Sequence, residues 1–238
     1  MSGERFVAFN QNHDQIGNRV KGERLSVLVD FDRLKLASAA LFLSPYIPLL
    51  FMGEEYGETT PFYYFVSHGD KELVKAVREG RKKEFAGYKW KTEPPDPQAE
   101  STFNDSKIDW NRRNSGKHKL LLSWNKELMR LRKENPALRS TDKNDLKAYP
   151  VNDKGLILHR RSNDELQHLI CVMNFSDDET TFSIPSLFPD WYKILSSADT
   201  RWHEKPKNEN NCVPEVIKAG GNLTINGCNI VVYSNKQI

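Results

Sequence analysis

The stretch FVAFNQNHDQIGNR, residues 6–19, sets four apolar residues directly against a row of amides, a histidine and a carboxylate. Phe6-Val7-Ala8-Phe9 is a continuous apolar run rather than an alternating one, the pattern of a strand covered on both faces, as in a parallel sheet. Polar residues at the end of such a strand have two readings. They form the rim of an active site, or they are a loop whose amides and carboxylate satisfy free backbone donors.

The residues downstream repeat the theme. Asp30 and Asp32 are both plausible N-caps for a helix in which Leu34, Ala37, Ala40 and Leu41 recur at helical spacing, and Pro45 ends it. Residues 47–52, IPLLFM, form a second apolar run that again ends in polar residues, Gly53-Glu54-Glu55. Asp70 is placed to cap a further helix reaching Phe85, with Leu73, Val74 and Val77 on one face. Strand, loop, helix, strand, loop, helix is the order of an α/β unit pair. Residues 86–116 lose periodicity, and Pro94-Pro95-Asp96-Pro97 marks an irregular excursion. A helix is expected over 117–134, with Leu120, Trp124, Leu128 and Leu131 as its core stripe and Asn135-Pro136 as its stop.

From Leu146 onward the texture changes to short runs rich in Leu, Ile and Val at 156–159, 169–173, 181–184, 192–195, 223–225 and 230–233. They predict a small antiparallel β sandwich, and Asn226-Gly227 between the last two predicts a tight hairpin. The switch in period divides the chain into residues 1–143, α/β, and 144–238, all-β.

Composition excludes several classes. The apolar stretch at 37–52 is broken by Ser38, Ser44, Pro45 and Pro48, so membrane insertion is not expected. The 35 Lys and Arg are interspersed with 32 Asp and Glu, leaving only +3, which argues against nucleic-acid binding. Cys171, Cys212 and Cys228 form no CxxC pair and no even set, and residues 1–5 lack the apolar core of a signal peptide. Together these imply reduced thiols and a cytoplasmic location. His13 and Asp14 are neighbours, the other histidines are scattered and no HExxH occurs, so no metal site is expected. There is neither a GxSxG nor a glycine-rich phosphate loop.

The residues 11–19, QNHDQIGNR, closely resemble the strand-seven motif of the α-amylase superfamily of glycoside hydrolases, and within it the malto-oligosyltrehalose trehalohydrolase family. PLLFMGEEYGETTPFYYF at 48–65 resembles that family's strand eight, and AVREGRKKEF at 76–85 resembles its final barrel helix. The resemblance implies a partial (β/α)8 barrel, its last two strand–helix units, followed by a C-terminal β sandwich. It implies that Asp14 is the catalytic carboxylate that favours the distorted, positively charged transition state. It further implies that His13 binds the same sugar and that Gln11, Asn12, Gln15 and Arg19 line the site. An ionised carboxylate beside a neutral imidazole suits an oxocarbenium-like state, which gains positive charge and tightens hydrogen bonds to ring hydroxyls.

The implied substrate is maltooligosyl trehalose or a related α-glucan, cleaved at the α-1,4 bond next to its trehalose end without a cofactor. Retaining hydrolysis also needs a nucleophile and a general acid about 5–5.5 Å apart. The strand-four and strand-five motifs that carry them are not found here. A full barrel takes about 250 residues, so the chain reads as the C-terminal part of a longer enzyme, inactive alone, with exposed sheet edges that favour a homo-oligomer. A branching-enzyme relative usually has Glu-Val after His-Asp, where this chain has Gln15-Ile16. The other alternative is a non-catalytic glucan-binding module.

Remaining candidates have structural readings. Glu54 and Glu55 look like an acid/base pair, but neighbours on an extended backbone point apart, which favours a strand-end cap. Phe62, Tyr63, Tyr64 and Phe65 are expected to pack, His68 and Asp70 to cap, and Trp90 and Trp110 to offer loop-borne surfaces for sugar stacking.

Overall fold

The computed structural model describes residues 2–86, 93–205 and 213–237. Strands β1 (Val7–Ala8) and β2 (Ile47–Pro48) pair in parallel, Val7 opposite Ile47. Ile47 N–H donates to Phe6 O and Leu49 N–H to Ala8 O, both at 2.9 Å. Between them lie α1 (His13–Gly17), α2 (Leu25–Leu28) and α3 (Phe31–Leu43). This is a strand–helix–strand unit of barrel type. The strands are not covered on both faces, however. Val7, Ile47 and Leu49 are exposed, because among the described residues each strand has one neighbour.

Of the two cap candidates, Asp30 is the one used, accepting from Arg33 N–H at 2.9 Å. The innermost residues of α3 include Leu36, Ala39, Phe42 and Leu43, while Leu34, Ala37 and Ala40 lie at the margin. The helix is gripped on two sides, by another helix and by a sheet, so its buried arc is wider than one stripe.

Helix α4 (Lys71–Ala86) is capped by Asp70, which accepts from Leu73 N–H at 2.8 Å. It is not the helix that packs beside α3. Only Phe85 of α4 is buried, and Leu73 is exposed. After a short α5 (Glu100–Asn104), that place is taken by α6 (Gly116–Glu134), whose core stripe starts at Leu121 rather than Leu120 and continues through Trp124, Leu128 and Leu131. Repeated apolar residues on α6 win over the mostly charged α4 because burial of each Leu-sized side chain contributes about 1.5–3 kcal/mol. Helix α7 (Pro136–Arg139) follows, with Asn135 capping it.

The rest is β structure: β3 (Leu146–Val151), β4 (Gly155–Arg161), β5 (His168–Asn174), β6 (Thr180–Ser183), β7 (Asp190–Ser196), β8 (Val216–Lys218), β9 (Asn222–Ile225) and β10 (Asn229–Ser234). An antiparallel sheet runs β3-β4-β5-β10-β7-β8, and β6 pairs with β9 in a second, smaller sheet. The large sheet is a middle layer. On β5, Leu169, Cys171 and Met173 join Phe42, Trp124 and Leu128 in one core, and Ile170 and Val172 join Phe182, Leu223 and Ile225 in another. Period-two alternation thus serves two cores at once, which is why the run in β5 is continuously apolar.

Asn226-Gly227 does not close a hairpin. β9 pairs with β6 while β10 pairs with β5 and β7, so the turn carries the chain from one sheet to the other. Gly227 is required there by close approach, since a Cβ would lie 2.0 Å from Asp177 O.

Cations with long side chains join the helices to one another and to the large sheet. Arg160 of β4 donates to Leu43 O at 2.6 Å and to Ser140 O, and Arg132 of α6 donates to Phe42 O at 2.5 Å and to Ser44 O and Tyr46 O at 2.6 Å. Both meet the negative end of the α3 dipole. Lys35, fully buried, donates to Ser197 O at 2.7 Å and lies 3.1 Å from Asp32. Cys171 and Cys228 are free and buried, and burial pushes the Cys171 thiol up to about 12. Cys212 lies outside the described residues.

On the other face of β4, His159 is buried, with its Nε2 2.9 Å from Nδ1 of His168. His168 Nε2 lies 2.9 Å from Glu165 O and must donate to it, so His168 Nδ1 accepts from His159. Burial first, and the neighbouring His168 imidazole next, push His159 down to about 4. Because the folded value is below the unfolded one, its contribution is intact above about pH 6.5 and is lost as pH falls toward 4. Urea unfolding at pH 7 and pH 4.5 is expected to show a loss in the wild type about 2 kcal/mol greater than in His159→Gln. Equal losses in the two proteins would rule this out.

Candidate functional site

Since β1 and β2 are parallel neighbours, the loops that leave them rise at the same end, where barrel enzymes gather their catalytic groups. The loop after β2 forms a 3-10 turn, Glu54–Tyr56, rather than extended chain. Glu54 ties the two strand ends together, accepting from Phe51 N–H at 3.0 Å and from Asn10 Nδ2 at 3.4 Å. It acts as the strand-end cap. Burial raises its pKa above the carboxylate range against the opposing pull of those hydrogen bonds. From below, α6 holds the turn: Asn125 Nδ2 donates to Glu55 O at 2.9 Å, and His118 Nδ1 lies 3.0 Å from Tyr56 O.

Gln11 is buried beside Glu54, its Oε1 accepting from Leu25 N–H at 2.9 Å and so fixing the start of α2. Asn12 caps α1, its Oδ1 accepting from Gln15 N–H at 2.9 Å. The cap puts His13 and Asp14 in the first turn, with side chains 71% and 73% exposed and His13 Nε2 3.3 Å from Asp14 Oδ1. Carboxylate and imidazole therefore stand together, open to an incoming ligand. Gln15 is exposed beside them, and Arg19 pairs with Glu23 at 3.2 Å.

Two buried charges organise the loop after β2, and sequence reasoning passed over both. Arg24 donates to Thr60 O at 2.6 Å and Met52 O at 2.7 Å. Glu58 accepts from Thr59 N–H and Thr60 N–H at 2.7 and 2.8 Å, from Asp109 N–H at 2.7 Å and from Tyr56 OH at 3.1 Å. Burial works against the Glu58 charge, but these donors outweigh it and hold its pKa below the usual carboxylate range. Nothing in the spacing of Gly57-Glu58-Thr59-Thr60 marks this residue as buried, since its partners include one 51 residues away. Among the described residues, no group of three or more His, Cys, Asp or Glu is arranged to hold a metal ion.

The aromatic run divides. Phe62 and Phe65 pack edge-on in a series with Phe51 and Phe103, at centroid distances of 5.1, 5.7 and 5.2 Å. This series holds the excursion onto the barrel unit. Trp110 remains exposed, 6.2 Å from Tyr56, whereas Trp90 lies outside the described residues. His68 meets Gln98 through its backbone only, N–H to Oε1 at 3.2 Å and O from Nε2 at 3.0 Å.

No protein-family model matches the chain. It is 48% identical over 134 residues, 56% of its length, to a malto-oligosyltrehalose trehalohydrolase of Saccharolobus solfataricus, and 49% identical over 134 residues, also 56% of its length, to one of Brevibacterium helvolum. These matches cover 22% and 23% of the two relatives, so the chain spans under a quarter of their length. Among solved structures it is similar to a candidate alpha amylase from Salmonella typhimurium, with 32% identity, a TM-score of 0.76, and coverage of 99% of this chain and 36% of that one. The architecture is thus a partial (β/α)8 barrel followed by a β domain.

Proposed function

We propose that these residues are part of a glycoside hydrolase that cleaves the α-1,4 bond next to the trehalose end of maltooligosyl trehalose and releases trehalose. The placement of Asp14 carries the reading: an exposed carboxylate beside an exposed imidazole, on a capped turn at the end of a parallel strand. The names and the 40–49% identity of the curated relatives support the choice of substrate.

In this reading Asp14 stabilises the oxocarbenium-like state, and its hydrogen bonds to sugar hydroxyls tighten as positive charge develops on the ring. His13 and Gln15 bind the same sugar. Gln11, Asn12 and Arg19 contribute from beneath and behind by fixing the loop and α1. Residues 1–143 act as the barrel part and residues 144–238 as the β domain that backs α3 and α6. The nucleophile and general acid come from further strands. The exposed edge at Val7, Ile47 and Leu49 is where those strands, or another copy of the chain, pair. A cytoplasmic location belongs to the same proposal; among the described residues no helix is long and apolar enough to cross a membrane.

The test joins residues 1–238 behind the remaining barrel units of the Saccharolobus solfataricus relative and supplies maltooligosyl trehalose. The fusion is expected to release trehalose and the 238-residue chain alone to release none. A folded fusion that yields branched glucan, or trehalose release by the chain alone at an enzyme-like rate, would overturn the assignment.

A further inference from the structure

We infer that Arg81 of α4 is a positioning residue for His13 and Asp14, so that a helix lying outside the core is part of the site's machinery. The inference rests on the functional reading above only for the role given to Asp14. It begins from the weakness of α1. Five residues are too few to hold a helix by themselves, because nucleation costs more than one turn returns. Among the described residues, the one polar contact of the His13 and Asp14 side chains is with each other. Their direction is therefore whatever the α1 backbone imposes.

That backbone is fastened at its start by Asn12, at its middle by buried Ile16, and at its end by Arg81. The Arg81 guanidinium donates through Nη2 to Gly17 O at 2.8 Å and through Nη1 to Asn18 Oδ1 at 3.2 Å. Asn18 N–H in turn donates to Asp14 O at 3.0 Å, so a single group spans the end of the helix and reaches back to residue 14. The cation meets the negative end of α1, and its planar fork presents two separate nitrogens to the two acceptors in a fixed geometry. Arg81 is itself held: Nη1 also donates to Glu84 at 2.8 Å, and the guanidinium lies over the rings of Tyr64 and Phe85, 4.6 and 4.7 Å from their centroids. Its side chain is only 12% exposed, on a helix whose one buried residue is Phe85. A charged helix whose least exposed cation points at the end of α1 is built to hold α1.

The test uses isotope-labelled 238-residue chain as wild type, Arg81→Met, Arg81→Lys and Glu84→Gln. Amide exchange at Ile16 and Asn18 and the His13 ring cross-peak are measured, with the Trp124 indole N–H and the Tm reporting on the core. Arg81→Met is expected to speed exchange at Asn18 about 10-fold or more and to move the His13 signal, with the Trp124 indole unchanged and the Tm within about 2 °C. Arg81→Lys should fall between it and wild type, and Glu84→Gln should stay near wild type. An unmoved His13 signal and unchanged Asn18 protection in Arg81→Met would overturn the inference. So would a loss of protection spread equally to the core in both Arg81 variants. The functional reading fails separately, if the fusion described above releases no trehalose while α1 responds as expected.

Discussion

Arg160→Met is expected to lower the unfolding free energy by about 2–5 kcal/mol, read from urea unfolding at pH 7. Arg160 is almost wholly buried between β4, the end of α3 and the segment after α7. Burial pulls the guanidinium down to about 10, still well above neutrality, so a charged group sits inside the molecule without a carboxylate as direct hydrogen-bond partner. What holds it is the set of carbonyls at Leu43, Leu138 and Ser140. Met fills similar volume and removes the cost of burying the charge, yet it leaves Leu43 O and Ser140 O without their donor in a dry junction. Each orphaned acceptor costs about 1–3 kcal/mol, which outweighs the relief. Arg132 serves neighbouring carbonyls at the same helix end, so its loss should couple to that of Arg160 rather than add to it. A loss below about 1 kcal/mol in Arg160→Met would show that these carbonyls find other donors.

Asp14→Asn, made in the fusion that completes the barrel, is expected to lower kcat/KM on the order of 10²–10³-fold with little change in Tm. The two parts of that expectation come from one observation. With its side chain 73% exposed and, among the described residues, in polar contact with His13 alone, Asp14 contributes almost nothing to packing, so the amide is tolerated. The carboxylate's work lies in opposing the positive charge that appears on the sugar ring, and an amide cannot do this. A drop in kcat/KM under about 5-fold would remove Asp14 from the mechanism, whatever its placement.

Local rules read well in this chain. Asp30 and Asp70 cap the helices they precede, Pro45 stands just past α3, and the runs at 156–159, 169–173 and 230–233 are strands. These signals act over a few residues, and the backbone answers them whatever lies far away. The same holds for the site's first turn, where Asn12 and Gln15 meet through an i, i+3 bond. Readings that depended on a distant partner went differently. The stripe of α6 begins one residue later than expected, and Asn226-Gly227 bridges two sheets instead of closing a hairpin. In each, local spacing was compatible with more than one partner, and packing selected among them.

Sequence by itself therefore determined that two strand ends carry polar clusters, that one presents His13 and Asp14 together, and that a β domain follows. Only the tertiary structure decided which charges are buried and what they hold. Glu58 reaches Asp109, Arg81 reaches Gly17 and Arg160 reaches Leu43, across 51, 64 and 117 residues of chain. Long polar side chains look alike on a sequence whether they face water or a row of carbonyls. The difference is desolvation, which exists only once the chain has folded around them.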